Sequence, residues 1–182
     1  SIAENFLHSI RPDSKFTEEE ARLLDLCLVI HAEHGGGNNS AFTCRVLSSS
    51  GTDTYSAIAA AVGSLKGPKH GGANQRVVAM FDEIKANISD WTDDQEITAY
   101  LEKILRKEAG DGSGLIYGMG HAIYTKSDPR ALVLKRYART LAEKTGLIRE
   151  LELLESIERL TPEVFQRVTG SNKVMCANVD FY

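Results

Sequence analysis

Apolar side chains recur along this chain at three- and four-residue spacing, and clusters of glycine, proline and short polar residues interrupt them. That pattern predicts helices joined by loops. Ile2, Phe6 and Ile10 share a face of a first helix that ends before Pro12. Thr17 and Glu20 form a capping-box signature for a second, with Leu23, Leu24, Cys27 and Ile30 at helical spacing. Gly35-Gly36-Gly37-Asn38-Asn39 ends it, and a helix over 40–48 stops at Ser49-Ser50-Gly51. Asp53 or Thr54 can cap Tyr55 to Leu65, whose Ala57–Val62 run is small and apolar around the circumference. Such a helix is buried on all sides or packed closely on a partner.

After Gly67–Gly72 a helix resumes at Ala73 and runs to Ile84, and Thr92 with Gln95 reads as a second capping box. That box opens a helix carrying Ile97, Tyr100, Leu101, Ile104 and Leu105, followed by a flexible loop from Gly110 to Gly114. Asp128-Pro129 predicts a helix start that runs to about Lys144, with Gly146 as its stop. Leu147 to Leu160 forms a further helix, and Thr161-Pro162-Glu163 opens a last short one. Strand signals are confined to Leu115–Tyr117 and Lys173–Met175. The expected class is all-α.

The charge balance excludes more than it identifies. Twenty-one basic against 25 acidic residues give a net charge of -4 over 182 residues, without the basic excess that phosphate-backbone binding needs. No apolar run approaches the roughly 18 residues that span a bilayer. Cys27, Cys44 and Cys176 form no metal-finger or paired pattern, which predicts reduced thiols in an intracellular protein.

The 15 glycines gather beside the histidines. His34 precedes Gly35, His70 precedes Gly71-Gly72, and His121 follows Gly118-Met119-Gly120. A histidine at such a junction either satisfies a turn or is presented to a cleft that a ligand backbone can approach. His70 stands just before a helix start, where the positive dipole end favours a neutral imidazole able to donate to a developing enolate oxygen. Arg130, in the first turn of its helix, either pairs with Asp128 or faces a substrate carboxylate. A metal reading rests on His31 and His34 at i, i+3, but no HExxH pattern accompanies them and no third ligand is fixed.

His31-Ala-Glu-His34-Gly-Gly-Gly-Asn38, Gly67-Pro-Lys-His70-Gly-Gly-Ala-Asn74, Gly118-Met-Gly-His121, Asp128-Pro-Arg130 and Asn178-Val-Asp180 occur in an order that resembles the citrate synthase family. The resemblance covers nearly the whole chain. It implies a multi-helical fold in which 1–66 belong to a large domain, 67–172 form a small domain, and 173–182 return to the large one. It also implies a Claisen-type condensation of acetyl-CoA with oxaloacetate, giving citrate and CoA in the tricarboxylic acid cycle. Propionyl-CoA, as in 2-methylcitrate synthase, is the alternative, because one methylene discriminates by only about 1–3 kcal/mol. Another is an inactive ligand-binding and dimerising fragment.

By the same resemblance Asp180 is the general base, His70 the donor to the thioester oxygen, and His121 the group that polarises the oxaloacetate carbonyl. His34, Asn38 and Arg130 bind oxaloacetate, and the stretch Leu115, Ile116, Tyr117, Gly118, Met119, Gly120 lies along the CoA adenine. Acetyl-CoA enters as cosubstrate, with no permanently bound cofactor and no metal. The helix Tyr55–Leu65 is expected at a homodimer interface, in a cytoplasmic protein or, in a eukaryote, the mitochondrial matrix. The family is longer, so the resemblance predicts a piece lacking an N-terminal part and, beyond Asp180, further carboxylate-binding arginines. Thr125-Lys126 stands where some members carry an arginine for the CoA phosphate.

Overall fold

The computed structural model describes residues 1–32, 37–67, 70–121, 124 and 126–182. Among these, every regular element is a helix: α1 (Ile2–Ile10), α2 (Glu18–Ile30), α3 (Asn39–Ser49), α4 (Thr54–Leu65), α5 (Ala73–Asn87), α6 (Asp94–Leu105), α7 (Pro129–Thr145) and α8 (Ile148–Thr169). None is long and apolar enough to cross a membrane. The chain divides into two compact units, Ser1–Leu65 and Lys66–Tyr182.

In the first unit α1 packs on α2 and α3 on α4. The capping box at Thr17 and Glu20 forms as the sequence predicts, and Asp53 caps α4 by accepting from the Ser56 amide at 2.9 Å. The small-residue helix is not enclosed by this chain. Ala57 alone in α4 is buried, while Tyr55 is 88% exposed and Ile58, Val62 and Leu65 also face outward.

In the second unit α6 and α7 both pack on α8. Ile97 and Leu101 of α6 and Leu153 and Ile157 of α8 lose all solvent contact, and Met175, Ala177 and Phe181 join the same core. Each such aliphatic side chain contributes roughly 1.5–3 kcal/mol on burial. At the rim Arg159 pairs with Asp94, and Arg167 with Glu102, across α6 and α8.

Three local expectations need correction. The cap of α6 is Asp93, which accepts from the Gln95 amide at 2.8 Å, whereas Thr92 is turned back onto Asp90. A residue nearer the helix with a free carboxylate displaces the hydroxyl. No break occurs at Pro162, which lies inside α8. Proline removes the helical donor to Glu158 O, but buried Ile157, Thr161 and Val164 hold both halves against the core. The short strand signals yield no strand among the described residues; Met119 and Ala177 form one isolated antiparallel bridge.

Candidate functional site

Asp128 and Arg130 open α7. Asp128 is the N-cap, accepting from the Arg130 amide at 2.9 Å, with Pro129 at the first helical position. The same carboxylate takes Arg130 Nε at 3.0 Å and Nη2 at 2.8 Å. The Asp128 side chain is fully buried and that of Arg130 only 12% exposed. Burial alone would raise the Asp128 carboxyl, but the hydrogen bonds from Arg130 outweigh it and hold its pKa below the usual range. Arg130 is pushed the other way, first by Asp128, with Tyr124 and the charge of Asp180 contributing. Of the two sequence readings of Arg130, the pairing with Asp128 is the one observed.

His121 lies against this pair. The Tyr124 amide donates to its Nδ1 at 3.1 Å, and Arg130 Nη2 stands 3.3 Å from its Nε2. A backbone N–H can only donate, so Nδ1 accepts from Tyr124, and the role of Nε2 toward Arg130 follows the tautomer of the ring. Arg130 is also donor-only. The 3.3 Å approach sets a guanidinium beside an imidazole, a setting suited to an oxygen with lone pairs, carbonyl or carboxylate.

Asp180 reaches this corner through main-chain pairing. Gly120 N donates to Cys176 O at 2.7 Å and Asn178 N to Gly118 O at 2.8 Å, on either side of the Met119–Ala177 bridge. Gly118 has φ +77°, and a Cβ there would lie 3.0 Å from the Phe181 Cα, so only glycine allows the two segments to approach so closely. The Asp180 amide donates to Asn178 Oδ1 at 3.0 Å, and Phe181, 2% exposed, anchors the turn in the core. Asn74, in the first turn of α5, donates to Asp180 O at 3.3 Å. His70 sits in the turn before that helix, its amide donating to Gly67 O at 2.9 Å.

The segment proposed for CoA is braced separately. Tyr117 Oη donates to Asp111 at 2.5 Å and accepts from Arg76 Nη1 of α5 at 2.9 Å. The hydroxyl of Ser113, then Tyr117 and the Ser113 amide, hold the Asp111 carboxyl down at about 2. A cavity of about 90 Å³ opens beneath, lined by Met80, Ile104, Leu115 and Tyr117.

The second unit therefore brings His121, Arg130, the Leu115–Gly120 segment and Asp180 together, with α5 carrying the turn of His70 to the edge of Asp180. His34 lies outside the described residues. Asn38, in the other unit, caps α3, its Oδ1 taking the Ser40 and Ala41 amides at 3.1 and 3.2 Å. His31 donates Nδ1–H to Cys27 O at 2.7 Å, at the end of α2. Among the described residues no three His, Cys, Asp or Glu side chains group to hold a metal. The sequence reading gave no part to Asn178, Asn74 or the Arg76–Tyr117–Asp111 brace. An Asn two residues before Asp180 is an Asx-turn signal, whereas the other two are contacts between distant segments.

Comparison with known proteins places the whole chain. The family model for the citrate synthase C-terminal domain matches residues 1–182. A citrate synthase of Deinococcus radiodurans is 40% identical over 180 residues, covering 99% of this chain and 43% of that protein. The solved citrate synthase of Pyrobaculum aerophilum superposes with a TM-score of 0.74 at 29% identity, over 99% of this chain and 40% of that one. That of Thermoplasma acidophilum, solved as a ternary complex with carboxymethyl coenzyme A and oxaloacetate, gives 0.73 at 30% identity, over 100% and 43%. The chain thus spans less than half the length of these three proteins. With the family model matched over the whole chain and the all-helical fold shared with these structures, the chain belongs to the citrate synthase family.

Proposed function

We propose that the chain supplies the condensing site of an acyltransferase that joins acetyl-CoA to oxaloacetate and releases citrate and CoA. The observation that carries this reading is the His121 ring standing 3.3 Å from Arg130, with the charge of Asp180 close enough to act on Arg130. A 2-oxo acid suits that corner, since its carbonyl can accept from His121 Nε2–H and a carboxylate can take the guanidinium.

The chemistry follows from the groups. Asp180 takes a proton from the acyl methyl carbon, and His70 donates to the thioester oxygen as it becomes an enolate. The methyl carbon then bonds to the 2-oxo carbon, whose oxygen receives the proton of His121. Water cleaves the thioester of the product, giving citrate, CoA and a proton. The main chain of Leu115–Gly120 lies along the CoA adenine, and His34 and Asn38 complete the oxaloacetate contacts. No metal or resident cofactor enters any step.

In this reading 1–66 belong to a large domain, 67–172 to a small one, and 173–182 run back to the large domain. The exposed Tyr55, Ile58, Val62 and Leu65 on α4 meet a second copy in a homodimer. Three cysteines without disulfides suit a cytoplasmic setting. Turnover of acetyl-CoA and oxaloacetate, followed as free CoA, tests the proposal. Citrate production that falls at least about 10²-fold in Asp180→Asn supports it, and CoA release without citrate contradicts it.

A further inference from the structure

Four hydrogen bonds converge on Asn178. Its amide donates to Gly118 O at 2.8 Å and its carbonyl accepts from the Phe181 amide at 3.1 Å. Its side chain bonds in two directions: Oδ1 accepts from the Asp180 amide at 3.0 Å, and Nδ2 donates to Gly120 O at 3.0 Å, across 58 residues of sequence. Gly120 is the residue before His121. One planar amide thus holds the backbone beside the histidine and the backbone of the aspartate.

An Asx turn alone explains only half of this. Asp, Ser or Thr could accept from the Asp180 amide equally well. The bond to Gly120 needs a donor on the same short side chain. Asp lacks that donor at neutral pH, Ser cannot span both partners, and Gln places the amide a carbon further out. The segment cannot easily shift to compensate, because Phe181 is locked in the core and lies so close to Gly118 that a Cβ there would stand 3.0 Å from its Cα and Cβ.

We propose that Asn178 is a positioning residue for the reaction, setting the separation between His121 and Asp180 through its paired bonds to Gly120 and the Asp180 amide. The inference rests on the condensing function above. In that function the base and the electrophile-activating group must present two substrates to one another, and a misplacement of about 1 Å can cost roughly 10²-fold in rate.

Two substitutions separate the bonds. Asn178→Asp keeps the acceptor for the Asp180 amide and removes the donor to Gly120, while Asn178→Ala removes both. With unchanged helical circular dichroism, kcat should fall about 10²-fold in Asn178→Ala and less in Asn178→Asp, with KM for both substrates within about threefold. A kcat within threefold of wild type in both variants overturns the inference, as does a loss confined to KM. Should Asn178→Ala not fold, Asn178→Asp decides. Absence of turnover in the wild type is a failure of the functional reading, and NMR of the same proteins then decides the positioning. Resonances of the His121 ring and the Asp180 carboxyl that both move in the variants support it. Changes confined to 177–179 overturn it.

Discussion

Asp128 and Arg130, two residues apart at the start of α7, form a closed pair in which both carboxylate oxygens accept from the guanidinium while one also caps the helix. The arginine is thereby fixed before any substrate arrives, 3.3 Å from the ring of His121. Preorganisation of this kind is what makes donors effective toward developing charge, since no reorientation is needed during the reaction.

Removing the acid should therefore cost more than a cap. Asp128→Ala leaves a nearly buried guanidinium without its counter-ion, and a loss of about 3–5 kcal/mol is expected. Asp128→Asn keeps a capping oxygen and should lose clearly less. Urea unfolding followed through Trp91, which lies in the second unit, measures both.

Gly118→Ala should disturb the base without touching it. Its φ of +77° costs a side chain about 1–2 kcal/mol, and the new methyl would press on the backbone of Phe181. The expected outcome is a loss of at least that size, together with faster amide exchange at Asp180 and Phe181. An alanine variant as stable as wild type would contradict the close approach of the two segments.

Acid should weaken the brace under the segment Leu115–Gly120. Asp111 titrates at about 2 in the folded chain against 3.8 when unperturbed, so its contribution is complete above about 4 and disappears as pH falls through about 2. Because the Ser113 hydroxyl is the largest cause, Ser113→Ala should move the Asp111 titration back toward 3.8, and Tyr117→Phe should move it less. Carboxyl carbon NMR of Asp111 reads both shifts.

Alkali acts with the opposite sign. Burial first, and then the hydrogen bond to Glu83 at 2.9 Å, raise Tyr100 from 10.0 to about 12. Its stabilising contribution is present below pH 10 and declines as pH rises toward 12. Tyr182, raised by burial and by Glu158, resists ionisation in the same direction. Phenolate absorbance should show these two tyrosines ionising late, together with unfolding.

The helical class, the α2 and α7 caps and the clustering of His121 with Arg130 were all legible in the chain, because each depends on local spacing or on an ordered set of motifs. What escaped depends on longer range. Pro162 reads as a helix start, yet packing of Ile157 and Val164 carries α8 through it. The small apolar run of α4 predicts either burial or packing on a partner, because composition reports apolarity without saying which surface covers it. Asn178 stands inside a motif built around Asp180, and its second partner, Gly120, is adjacent only in space.

In the proposed function His121 carries its proton on Nε2 and presents it, beside Arg130, to a 2-oxo acid. Nitrogen-15 NMR of the His121 ring during titration with oxaloacetate tests this most directly. The account expects an unprotonated Nδ1, a proton on Nε2, and a shift of that Nε2–H on adding oxaloacetate that Arg130→Leu abolishes. A proton on Nδ1, or a ring that does not respond to saturating oxaloacetate, would contradict it.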